Sequence, residues 1–210
     1  MFFSNAVTGT TPEILHEIHL EGRSIAIYNR DTSHLLEEAN RLMSAKTDFR
    51  HNGSARDIEA ALRKHVEPVL PGDSALLDDI HEALSLFQTI AKSDSLRMLL
   101  VTVNTNMCRR FHTDMNVLRL LCTYYGEGTL WLPEEAVDRK ALDSFKDNER
   151  IIRDHALIQR VGTGSIAILK GAIYPAGDTK ACVHRSPTIE ESGGRRLLLR
   201  MDTNETLFQG

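Results

Sequence analysis

His112, Asp114 and the distant His184 are the residues of this 210-residue chain whose types and spacing could do chemistry. His112-Thr113-Asp114 sets an imidazole and a carboxylate two positions apart, and on a β-strand residues i and i+2 project from one face. A histidine from a neighbouring strand then brings two nitrogens and one carboxylate to a single divalent ion. That facial arrangement leaves coordination positions open, as non-haem Fe(II) chemistry requires. The bland alternatives are a strand histidine at 112, a turn-capping aspartate at 114 and a structural histidine at 184 beside the turn Arg185-Ser186-Pro187. A His-x-Asp tripeptide is by itself a common coincidence. Its surroundings add weight: 96–103 is mostly apolar, 117–125 is rich in leucine, aromatic and β-branched residues, and Thr129-Leu130-Trp131-Leu132 ends at Pro133. Short strands bounded by Gly and Pro are the elements such ligands need.

The rest of the chain supplies those elements in two halves. After an early strand at 24–28, Asp31 or Thr32 caps a helix to about residue 44. A second helix covers 55–66, and Asp73 or Ser74 starts a third that reaches about 92, with Leu76, Leu77, Ile80, Ala83, Leu84 and Phe87 on one face. From about residue 96 the pattern turns to strands at 96–103, 109–114, 117–125, 128–132, 157–161, 165–169, 180–184 and 195–202, with a charged helical excursion or lid at 134–156. The reading is an α+β single domain over 1–204, with helical support at about 31–93. Its second part, about 96–202, reads as a double-stranded β-helix, a jelly-roll or cupin-like barrel. Residues 205–210 (ETLFQG) read as a protease-site remnant of expression.

Composition bounds the partners. Hydrophobic residues at 41%, charged residues at 26% and a net charge of −4 describe an ordinary globular chain with no basic stripe for nucleic acid. No apolar run approaches a membrane span. Cys108, Cys122 and Cys182 have no zinc-knuckle spacing, and an odd count without a secretory leader predicts reduced thiols and a cytoplasmic location. The pairs Arg109-Arg110 and Arg195-Arg196 point to a small-molecule anion near the site. Alternation places Arg196, Leu198 and Arg200 on one face of the last strand, and a shift of one residue would exchange Arg196 for Arg195. Cys182 shares parity with His184 and reads as a buried thiol, Trp131 reads as core, and His155 is a weak candidate for a fourth ligand. A hydroxyl from Tyr124 or Tyr125 is a weaker candidate for a carboxylate contact.

The segments RRFHTD, LLCTYYGEGTLWLPEEAVDR, GSIAILKG and VHRSP followed by RRLLLRMD resemble a bacterial family of unknown function, DUF1826, over about residues 96–202 and more loosely before them. The order His-x-Asp, distal His, then Arg is similar to the 2-oxoglutarate/Fe(II) dioxygenase superfamily. That resemblance implies a β-helix barrel, Fe(II) on His112, Asp114 and His184 (with Zn or Ni able to substitute) and 2-oxoglutarate as cosubstrate. It also implies a carboxylate-binding arginine, for which Arg196 is the choice, Arg195 the rival and Arg200 a neighbour on the same face. Many superfamily members carry Ser or Thr two residues beyond that arginine; here the position is Leu198. The implied activity is a metal-dependent oxygenase. The alternatives are a cupin-like metal-binding or metal-homeostasis protein without redox turnover, and a degenerate barrel acting as an interaction module.

Overall fold

The computed structural model describes residues 3–175, 177 and 179–204. The expected helices form where apolar spacing and caps coincide. They are α1 (Leu36–Ser44), α2 (Ala55–Val66) and α3 (Ala75–Ala91), the first entered through a 3-10 turn at Ser33–Leu35. Ser54 accepts from Asp57 N and Ser74 from Leu77 N, so each hydroxyl satisfies an otherwise free helix amide. The α3 stripe from Leu76 to Ile90 is buried along its length. Among the described residues, no helix is long and apolar enough to cross a membrane.

Among the described residues, seven strands make one sheet. In spatial order these are β1 (Ala6–Gly9), β2 (Ile25–Tyr28), β8 (Ile166–Lys170), β5 (Leu118–Tyr125), β10 (Arg196–Thr203), β4 (Leu96–Val103) and β3 (Asp48–Gly53). A second sheet holds β7 (Gln159–Arg160), β6 (Leu130–Leu132) and β9 (Val183–Arg185) in that order. Alternation assigns the faces of the large sheet. Leu118, Leu120 and Cys122 on β5, with Leu197, Leu199 and Met201 on β10, pack against the helices. Leu121 and Leu198 face the other way, into a core shared with Trp131, Val161 and Cys182 from the small-sheet side.

The expected division at about residue 93 needs correction. β1, β2 and β3 come from the N-terminal half and join the large sheet, whereas the sequence predicts only the strand at 24–28 there. β3 reads DFRHNG, a polar edge strand in which only Phe49 is buried, so it carries no apolar alternation to detect. The segment 109–114 is not a strand either; its sole ladder contact is an isolated bridge from His112 to His184. Residues 205–210, read as an expression remnant, lie outside the described residues.

The charged excursion folds into α4 (Arg139–Asp143), α5 (Asn148–Ile151) and 3-10 turns at Glu134–Ala136 and His155–Leu157. Its Ala136, Val137, Leu142, Ile151 and Ile152 cluster with Leu130, Leu132 and Val183. Leu130 and Leu132 alternate with the inward Trp131, so the excursion covers the outer face of the small sheet.

Candidate metal centre

The two histidines meet because their backbones pair. His112 N donates to His184 O and His184 N to His112 O, both at 3.0 Å. The segment that carries His112 has no strand to hold it, and α5 does so instead. Asn148 Oδ1 accepts from Phe111 N at 2.8 Å, and Asn148 Nδ2 donates to Arg109 O at 2.8 Å. Arg110 donates to the carbonyls of Lys146 and Leu142 at 2.8 and 2.7 Å, pinning the same turn to the excursion.

Backbone carbonyls set the imidazoles. His112 Nδ1 lies 3.0 Å from Arg110 O and His184 Nδ1 lies 3.3 Å from Cys182 O. A ring nitrogen facing a carbonyl carries a proton, so Nε2 of each ring is the atom turned to Asp114 and the one a metal would take. Those Nε2 atoms stand 3.6 Å from Asp114 Oδ1 and 3.2 Å from Asp114 Oδ2 respectively. One donor atom from each of the three residues falls within 4.8 Å of the others. Asp114 therefore belongs with the histidines although it does not share a strand with His112.

Burial pushes the Asp114 carboxyl up, but the histidine Nε2 atoms, acting as proton donors to the carboxylate when no cation takes that place, and the Arg119 guanidinium outweigh it and hold the group well below the usual carboxylate range. Asp114 Oδ2 is 2.5 Å from Arg119 Nη1, yet neither that group nor His184 aligns a donor on it, and it remains a buried oxygen without a hydrogen bond. An ionised carboxylate set between two imidazole Nε2 atoms, with one buried oxygen on which no donor is aligned, fits a divalent cation, which would take the place of any proton on Nε2. The residues present suit the metal that the sequence implies.

The cavity beside the triad is lined by Arg119, Leu121, Arg196, Leu198 and Arg200 from the large sheet and by Thr129 and Arg185 from the small-sheet side. Arg196 is 1% exposed; its Nη2 donates to Thr123 Oγ1 at 3.0 Å and lies 3.4 Å from Thr129 Oγ1. No carboxylate pairs with it among the described residues, and its Nε has no partner. Burial, reinforced slightly by Arg160, pushes Arg196 down to about 10, so it stays charged at neutral pH.

Arg195 lies just before β10 and is exposed. Tyr124, named as a weak cosubstrate contact, is not at the cavity. It is buried on the helical face and donates to Asp79 Oδ2 at 2.5 Å. Alternation is the reason: Tyr124 shares the parity of Leu120 and Cys122, and a bulge (Leu197 pairs with Tyr125 but Leu198 with Thr123) brings Tyr125 against the same side. Arg109 pairs with Glu190 and Arg110 with carbonyls, so neither faces an anion as the sequence suggested. His155 is exposed beside Glu149, away from the triad.

Sequence reasoning missed the ion network behind the triad. Arg119 Nε lies 2.6 Å from Asp202 Oδ1, which also accepts from Asn116 Nδ2 at 2.8 Å, while Arg200 Nε sits 2.9 Å from Asp202 Oδ2. Arg119 and Asp202 are cross-strand partners. The available signal was Arg119, the single charge on β5, and Asp202, the acidic residue on β10, at positions whose parity faces the cavity.

Fold and site together define an α+β protein of two sheets with a candidate centre of two histidines and one carboxylate. The chain belongs to the family described as Protein of unknown function (DUF1826), whose model matches residues 9–202. Solved structures similar to it include a prolyl-4-hydroxylase of Pseudomonas putida, at 10% identity and TM-score 0.47, covering 92% of this chain and 94% of that one. A second is the Fe(II)/α-ketoglutarate-dependent dioxygenase TqaL, at 11% and TM-score 0.46, covering 85% and 77%. A third is a full-length Neurospora crassa protein in complex with α-KG, at 12% and TM-score 0.44, covering 93% and 78%. At these values no activity or ligand passes from them to this chain. No curated protein matches the chain.

Proposed function

We propose that the protein is an Fe(II)-dependent oxygenase using 2-oxoglutarate as cosubstrate, its two sheets forming the halves of a double-stranded β-helix. The observation that carries this reading is the convergence of His112, Asp114 and His184 beside a cavity whose wall also holds Arg196, buried and without a carboxylate. A protein that only bound metal would have no use for that arginine. Keeping a guanidinium charged in the interior costs free energy unless an anion offsets it.

A keto-dicarboxylate suits both ends of the arrangement. Its oxo-acid end would reach the metal and its far carboxylate the planar guanidinium fork. The hydroxyl that many superfamily members place two residues beyond the arginine is replaced by Leu198, but Thr123 and Thr129 bring hydroxyls to Arg196 from neighbouring segments. Ferrous iron, when bound, supplies the redox chemistry. The chain's own part is positional. His112 and His184 keep their Nε2 lone pairs inward, Asp114 stays ionised, Arg196 orients the cosubstrate, and Leu121 and Leu198 form the apolar wall between strands.

The test is spectroscopic. Protein loaded anaerobically with Fe(II) and 2-oxoglutarate should show a weak visible metal-to-ligand charge-transfer band, absent in His112→Ala and Asp114→Ala, which lose a ligand. Arg196→Gln should keep its iron but bind 2-oxoglutarate about tenfold to a hundredfold more weakly, the cost of a lost charge-assisted contact. If iron binds stoichiometrically and no oxo-acid changes its spectrum, the oxygenase reading fails and a non-oxidative, cupin-like metal-binding protein takes its place.

A further inference from the structure

We propose that the cavity takes a second oxyanion, distinct from the cosubstrate, on Arg200, and hence that the substrate is an acidic molecule bearing a carboxylate, phosphate or sulfate group. This rests on the assignment of Arg196 to the oxo-acid. Arg119, Arg185, Arg196 and Arg200 all line the cavity, whereas the carboxylates placed against them are Asp114 and Asp202. A divalent ion and a dianionic cosubstrate cancel one another, so the positive excess survives the binding of both.

The arginines are not equally free. Arg119 is held between Asp114 and Asp202. The Arg185 guanidinium stacks 5.1 Å above the Phe111 ring. Arg200 has only Asp202, whose Oδ1 is already occupied by Arg119 and Asn116, and the 2.9 Å approach of Arg200 Nε to Oδ2 is not aligned as a hydrogen bond. Its buried Nε therefore joins those of Arg185 and Arg196 as guanidinium donors without an aligned acceptor at this cavity, and of these Arg185 also has Nη1 committed to Ser186 O at 3.1 Å.

Depth and spacing separate the two roles. Arg196 and Arg200 share the cavity face of β10 but stand four residues apart, about 13 Å between Cα atoms at the rise of a strand. That interval suits two anionic groups rather than one. Arg196 is sealed at 1% exposure, while the Arg200 side chain is 27% exposed, so the group entering later from solvent meets Arg200.

Inorganic sulfate is the probe. The protein's only tryptophan, Trp131, is the cross-strand partner of His184 and reports binding by its fluorescence. Zn(II)-loaded protein, saturated with 2-oxoglutarate so that no turnover occurs, should still bind sulfate. Arg200→Gln should weaken sulfate about tenfold or more and leave 2-oxoglutarate affinity unchanged, while Arg196→Gln should do the reverse. Arg200→Lys, which keeps the charge and loses the fork, should lie between wild type and Arg200→Gln. Competition between sulfate and 2-oxoglutarate in the wild type, or a loss of 2-oxoglutarate rather than sulfate in Arg200→Gln, would assign Arg200 to the cosubstrate and overturn the proposal. Because the competition experiment uses only wild-type protein, it decides even if Arg200→Gln fails to fold. Arg200-dependent sulfate binding without any 2-oxoglutarate binding would instead sink the oxygenase reading and leave the anion site standing.

Discussion

Two aspartates, Asp114 and Asp79, carry charge into the interior on opposite faces of the large sheet, and each answers to different neighbours. Asp114 faces the imidazoles and Arg119. Asp79, on α3, receives Arg30 Nη1 and Nη2 at 2.5 and 2.8 Å and the Tyr124 hydroxyl at 2.5 Å, while Arg30 Nε donates to Gly164 O at 2.8 Å. The Arg30–Asp79 pair is 13% exposed on both sides, so its partners have little water to fall back on. Burial pulls the Arg30 guanidinium down, but its bonds to Asp79 outweigh that and hold it above its ordinary value. Asp79→Leu should therefore destabilise the fold by about 3–5 kcal/mol, because it strands a buried cation and a buried hydroxyl together. Urea unfolding checks this, and a loss below about 1 kcal/mol would show that water replaces the carboxylate at little cost.

At the scale of elements, the junction of β5 and β10 decides where Arg196 points. The bulge between Leu197 and Leu198 is followed on the partner side by Gly126, at φ 83°. A Cβ there would sit 2.1 Å from Arg195 O and 3.2 Å from Arg196 Cγ. Because the obstacle is backbone, β10 itself must shift to admit a side chain. Gly126→Ala should cost about 1–3 kcal/mol from the left-handed conformation alone. It should also reduce 2-oxoglutarate affinity while leaving metal affinity intact, since His112, Asp114 and His184 lie on other segments. Thermal unfolding together with separate metal and cosubstrate titrations tests this; equal losses of both ligands would mean that the junction supports the whole site rather than Arg196.

Across the whole molecule, the three cysteines report how the layers exclude water. All three are free; Cys108 is exposed, and Cys122 and Cys182 are buried on opposite faces of the large sheet. Thiol titration of unreduced protein should find one rapidly reacting group when folded and three when unfolded; a single thiol after unfolding would reveal a disulfide. Burial pushes the Cys122 thiol up to about 12 from an ordinary value of 9.0. A raised acid pKa means that the unfolded chain releases its proton first, so this thiol's contribution to stability is intact below about 9 and is lost as pH rises toward 12. Replacing Cys122 by Ala should flatten stability over that interval, and an unchanged alkaline slope would show that other groups set it.

The ligand types, the α2 and α3 helices and the cavity-facing parity of Arg196, Leu198 and Arg200 were legible in the sequence. Each is written locally, as a periodicity, a cap or a pair of residues two apart, and local signals survive without knowledge of what lies opposite. The sequence likewise singled out His112, Asp114 and His184, whose ligand atoms the fold brings within 4.8 Å of one another. Only the tertiary structure decided that His112 reaches His184 through a single bridge held by Asn148 rather than through a strand. It alone brought polar β3 to the sheet edge, decided that the face of β5 carrying Tyr124 is the one the helices cover, and set Arg119 and Asp202 behind Asp114. These outcomes depend on which backbone pairs with which and on the cost of leaving a buried charge without a partner. That cost arises between segments far apart in the chain, so no spacing along the sequence encodes it.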